Sequence, residues 1–178
     1  MSNNASSNII TGRVWCFGDN INTDLMLPNS VNGGAATLDE QARAVFGANR
    51  PGWVDEMHPG DLIVGGFSYG MGSNRPAARS LRHLGVACVL AESINGLFFR
   101  NCVNFGMLAL ECPGVSKAFA EPQVAEISLA DFTVRNHDTG ALLQAKPVPQ
   151  NLLALMRNGG IFPLLERQGM IAPVAVPG

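Results

Sequence analysis

Two short apolar runs, residues 62–66 (LIVGG) and 86–91 (VACVLA), constrain the chain more than any other feature. Each has the length of a buried strand, and each is bounded by turn-forming residues. Between them, residues 75–84 (RPAARSLRHL) carry apolar positions at helical spacing, with Pro76 suited to a first helical turn and Gly85 to the stop. A short helix over 97–104 and a strand over 107–110 continue the alternation. Upstream, residues 11–17 (TGRVWCF) are rich in β-formers and end at the turn Gly18-Asp19-Asn20, and 38–46 (LDEQARAVF) has helical spacing closed by Gly47. The order strand, loop, helix, strand, helix, strand predicts an α/β fold.

The second half changes character. Residues 123–127, 132–135 and 141–144 read as short strands joined by turns at Asp131 and Asp138-Thr139-Gly140, an antiparallel flank that makes the sheet core mixed. Residues 151–156 form the final helix of this reading, ended by Asn158-Gly159-Gly160. A polar, disordered leader over 1–10 and a loose tail over 169–178, with Pro173 and Pro177, leave 11–168 as one domain.

A chain of 178 residues buries roughly 70% of its unfolded surface and needs no disulfides for a core. Only 15% of its residues are charged, against about 25% in an average soluble domain, which fits a surface partly covered by a partner or, more plainly, a compact, loop-rich globule with Gly and Pro in its turns. The net charge of -2 has no run of either sign, which excludes nucleic acid and anionic membranes as natural partners. No apolar stretch is long enough to span a bilayer, and the first eight residues lack the pattern of a signal peptide, so the chain reads as cytoplasmic. Cys16, Cys88, Cys102 and Cys112 are far apart, without a C-x-x-C pair or a Cys/His cluster. They read as small buried hydrophobes, and the chain is expected to bind no metal or other cofactor by itself.

The segment with chemical content is Phe67-Ser68-Tyr69-Gly70-Met71-Gly72-Ser73-Asn74-Arg75, between a strand and a helix. Glycines at 70 and 72 permit close backbone approach, and a helix start offers free N–H groups to a carboxylate or phosphate. The lysine of a nucleotide P-loop is absent. On spacing alone, the segment is equally a tight strand-to-helix turn with Ser73 capping the helix.

The run PGDLIVGGFSYGMGSNR, followed by LGVACVLAESINGLFFRNCVNFGM, resembles the small subunit of isopropylmalate isomerase and the matching swivel domain of aconitases. GRVWCFGDNINTDLMLP near the start and NGGIFPLLERQG near the end agree in order and spacing, so the likeness spans about residues 11–168. The resemblance implies a swivelling β/β/α domain with a mixed sheet, like the aconitase C-terminal domain. It implies a heteromeric hydro-lyase that dehydrates and rehydrates a 2-hydroxy di- or tricarboxylate. The partner would be an iron–sulfur large subunit carrying a 4Fe–4S cluster, in a heterodimer or heterotetramer, with leucine biosynthesis as the setting.

By position in the motif, the resemblance makes Ser73 the general base, through its alkoxide, and Arg75 the ligand of a substrate carboxylate, with Asn74 and Gly72 beside the substrate. Such a serine needs nearby N–H dipoles and cations to stabilise its anion, and a guanidinium supplies both that field and a forked grip. Thr23-Asp24 matches the family's pair at the active-site edge, where the acid could hold a histidine or water of the large subunit; the plainer alternative is an Asx-type turn. Arg100 and Asn101 are expected to pin their helix to the glycine loop. Two departures stand out. The family's Ser-Ser-Arg-Glu is Ser73-Asn74-Arg75-Pro76, and the family's substrate-selecting loop is Ser30-Val31-Asn32-Gly33-Gly34, with neither an Arg nor a bulky side chain. The first motivates a rival reading as a catalytically reduced regulatory subunit; the second, a different substituted malate such as a methylmalate or dimethylmalate.

Overall fold

The computed structural model describes residues 8–31, 36–72 and 75–173. The two apolar runs become β2 (Leu62–Gly65) and β3 (Cys88–Ala91), and all of their residues are buried. They pair in parallel with each other and with β1 (Ile9–Cys16) and β4 (Ala109–Glu111). Strands β5 (Val124–Ser128), β6 (Thr133–Asn136) and β7 (Leu142–Gln144) continue the sheet antiparallel, starting on the free side of β1. The seven-stranded order is β4-β3-β2-β1-β5-β6-β7, the mixed sheet with an antiparallel flank that the sequence predicts. β1 starts at Ile9, whose partner is Ser128, so two residues of the expected leader belong to the sheet.

Successive parallel strands step in one direction, and right-handed crossovers then lie in one layer. That layer contains α2 (Leu38–Arg43), α4 (Ala77–His83), α5 (Gly96–Phe105), α7 (Gln150–Arg157) and α8 (Ile161–Arg167), with α2 on α4, α4 on α5, and α5 on both α7 and α8. Three one-turn helices, α1 (Thr23–Met26), α3 (Trp53–Glu56) and α6 (Val115–Ala118), fall where the sequence predicts no helix, because a single turn leaves no periodicity to detect.

Helix α8 corrects the expectation that the chain's helices end at 158–160. Pro163 looks like a breaker in sequence, but it is the third residue of α8, where its missing N–H would have had no helical partner. The long β1–β2 crossover is anchored by aromatics: Phe17 stacks on Phe46 at 4.2 Å, and Trp53 meets Phe46 edge-on at 5.0 Å. The Phe46 amide donates to Met26 O at 2.9 Å, which fixes α1 against this cluster.

Candidate active site

The loops leaving β1 and β2 run side by side at the C-terminal edge of the parallel strands and are zipped by backbone hydrogen bonds. Asn20 N donates to Phe67 O (2.8 Å), Gly70 N to Ile21 O (2.8 Å) and Thr23 N to Met71 O (2.7 Å). Asp19 adds a side-chain bond, its Oδ1 accepting from Phe67 N at 2.7 Å. This edge is where open α/β sheets bind ligands.

Gly72 is required at the zipper. Its φ is +105°, and a Cβ there would lie 2.1 Å from Asn22 Oδ1. The close approach that this glycine permits is therefore to Asn22. The same Asn22 oxygen accepts from Asp24 N at 2.8 Å and caps α1. Asn22 thus makes the Asx-type turn, and Asp24 is left to act elsewhere. Asparagine just before Thr-Asp is an N-cap signal legible in the sequence.

Asp24 Oδ1 accepts from Arg75 Nε at 2.6 Å, and Arg75 Nη1 donates to Leu27 O at 2.6 Å. The Arg75 side chain is only 10% exposed, while that of Asp24 is 40% exposed. A charge-assisted bond at one nitrogen and a carbonyl at another hold the guanidinium plane between α1 and the start of α4. Thr23 is buried, at 2% exposure. Three of the sequence-predicted residues, Thr23, Asp24 and Arg75, are thereby gathered within one contact network with Gly72. Ser73 and Asn74 lie outside the described residues, as do Asn32, Gly33 and Gly34 of the substrate-selecting loop.

Helix α4 begins at Ala77 with Pro76 at its N-cap and no side-chain cap bond. The carbonyl of Pro76 accepts from Arg79 N and Ser80 N. The capping alternative for Ser73 falls outside the described residues. Arg100 is exposed. Asn95, whose amide donates to Tyr69 O at 2.8 Å, and Phe98, which meets Tyr69 edge-on at 5.6 Å, link α5 to the glycine loop. Asn101 is buried in the same helix.

All four cysteines are held as neutral thiols. Burial, then the Glu121 charge, pushes Cys16 up to about 11, and burial followed by Glu92 pushes Cys112 up to about 12. Burial also raises Cys88 and Cys102, so the thiolate needed of a ligand is opposed at each position. Among the described residues, no three His, Cys, Asp or Glu side chains converge as a metal site. No described helix is long and apolar enough to cross a membrane.

The Aconitase C-terminal domain family model matches residues 20–114, which include the zipped loops, α4, β3 and α5. The 3-isopropylmalate dehydratase small subunit 1 of Methanopyrus kandleri is 38% identical over 164 residues, covering 90% of this chain and 95% of that protein. The isopropylmalate/citramalate isomerase small subunit of Methanocaldococcus jannaschii is 36% identical, with 90% and 95% covered. The methanogen homoaconitase small subunit of Methanothermobacter thermautotrophicus is 35% identical, with 86% and 88% covered. A crystal structure of the Methanocaldococcus jannaschii 3-isopropylmalate dehydratase matches with a TM-score of 0.84 at 23% identity, over 91% of this chain and 96% of that one, a likeness of fold. The chain belongs to the aconitase C-terminal domain family, among the small subunits of the 3-isopropylmalate dehydratase type.

Proposed function

We propose that the chain is the small subunit of a cytoplasmic, two-subunit hydro-lyase that removes water from, and restores it to, a 2-hydroxy di- or tricarboxylate built on malate. The observation that carries this reading is the Asp24–Arg75 pair at the strand edge, in a chain whose relatives are named as small subunits. Relatives named for isopropylmalate, citramalate and homoaconitase differ in the substituent, while a carboxylate beside a hydroxylated carbon is common to the malates. Arg75 would grip that carboxylate, Asp24 and the Leu27 carbonyl would orient the guanidinium, and Ser73 would remove the β-proton in its field. Gly72 and Asn74 would lie beside the substrate backbone, and Thr23 would support them from the buried side. A 4Fe–4S cluster would be carried by the large subunit.

Leu25, Phe67 and Met71 support a partner on this edge: all three are exposed apolar side chains on the zipped loops, at 47, 57 and 36%. The rival reading, a catalytically reduced subunit, is favoured by Pro76 at the N-cap of α4, which makes no side-chain cap bond and stands where the family pattern has an acid. Reconstitution with the cognate large subunit separates them. Turnover of malates substituted at the α- or β-carbon is expected in the pair and in neither chain alone; an inactive pair, or an active single chain, sinks the proposal. Within the pair, Ser73→Ala should lower kcat by on the order of 10² to 10⁴ and abolish exchange of the β-hydrogen with solvent deuterium, with substrate binding intact. Near-normal exchange would assign the base elsewhere.

A further inference from the structure

Tyr69 stands in the middle of the glycine-rich loop, yet its side chain is fully buried. Left-handed backbone on both sides, with φ +55° at Ser68 and +78° at Gly70, turns the ring inward while Phe67 faces out. A non-glycine residue at positive φ is uncommon and is kept only where its surroundings enforce it. Here the enforcement is visible, since Ser68 N donates to Ser93 Oγ at 2.9 Å and Tyr69 N to Ser93 O at 3.0 Å. Tyr69 O accepts from Asn95 N, forming an isolated parallel bridge with Ile94. The next amide, Gly70 N, reaches across to Ile21 O, so loops from β1, β2 and β3 meet at this residue.

The ring lies over Gly65 at the end of β2, where a Cβ would come within 2.3 Å of Tyr69 Cδ2, and it is closed from the side by Phe98. Its hydroxyl is buried and, among the described residues, has no hydrogen-bond partner. A phenol in that state gains nothing from its oxygen, so it is the ring that the site uses. We propose that Tyr69 is a positioning residue, a post whose ring holds the glycine loop against residues 21–24 and so sets where Arg75 meets Asp24. The inference rests on the proposed function only for its catalytic consequence.

Two kinds of measurement test it. In the full chain alone, hydrogen exchange at the Tyr69, Gly70 and Asn95 amides rises in Tyr69→Leu and stays at the wild-type level in Tyr69→Phe, whose Tm is unchanged or higher. Gly65→Ala, which intrudes on the ring from beneath, raises the same exchange and provides a second route if Tyr69→Leu does not fold. In the reconstituted pair, kcat/KM falls on the order of 10²-fold in Tyr69→Leu, the scale of a misplacement of about 1 Å, and Tyr69→Phe restores it to within about 2-fold. Wild-type exchange in both Tyr69→Leu and Gly65→Ala overturns the proposal. Equal losses of kcat/KM in the Phe and Leu variants also overturn it, because the hydroxyl would then be the working group. Raised exchange together with an inactive wild-type pair upholds the post and sinks the hydro-lyase reading.

Discussion

Asp24 and Arg75 are 51 positions apart in the chain, and their meeting depends on residues with no chemistry of their own. Asn22 caps the one-turn helix that aims Asp24, and Leu27 contributes a carbonyl that no sequence pattern reveals. Asp24→Asn leaves Arg75 largely buried with its counter-charge removed. Because Asp24 is itself partly exposed, the cost should be about 1–2 kcal/mol, below the range for a fully buried pair. Urea unfolding checks this, and an unchanged midpoint would mean that Asp24 does not hold Arg75. Arg75→Lys keeps the charge and loses the planar fork. Substrate binding in the reconstituted pair should weaken by about 1.5–3 kcal/mol, and an unchanged KM and kcat would remove Arg75 from the site.

Among the elements, the joint between α5 and the α7–α8 turn holds the helical layer together behind the site. Arg82 Nη1 donates to Phe105 O at 2.8 Å and to Gly159 O at 3.1 Å, tying the end of α5 to that turn. At Gly160, φ is +93° and a Cβ would fall 2.1 Å from Asn104 O, a backbone atom that cannot swing aside. Gly160→Ala should therefore destabilise the chain by about 1–3 kcal/mol, through strain and separation of the two backbones. A thermal melt tests it, and an unshifted Tm would show that the turn is free to move. The Asn158-Gly159-Gly160 stop was legible as a helix end. Its partner was not, since residues 104–106 reach it only through the fold, and α8 beyond it was hidden by Pro163.

Across the whole molecule, Glu121 ties the crossover to the sheet. It accepts from Arg50 Nη1 at 2.6 Å and Nη2 at 2.7 Å, and from the Cys16 amide of β1, while Arg50 lies 4.8 Å over the Trp15 ring. The Arg50 hydrogen bonds, outweighing burial, hold the Glu121 carboxyl below 4.5. A depressed folded-state value means that the charged form stabilises the fold: the contribution is complete above about 4.5 and is lost as pH falls through the lower folded value. Glu121→Gln should therefore be less stable than the wild type at pH 7 and approach it as acid protonates the Glu121 carboxyl, as read by urea unfolding from neutral into acid; a constant difference would exclude the carboxylate as the cause. Sequence alone determined the α/β alternation, the antiparallel flank and the family, because strand and helix periods are local and the glycine and Thr-Asp motifs are contiguous. Tertiary structure alone decided that Asn22 fills the space at Gly72, that Asp24 and the Leu27 carbonyl aim Arg75, and that Phe98 meets the loop. Those outcomes depend on which backbone atoms approach across dozens of residues, and carbonyls and clearances leave no mark in residue type.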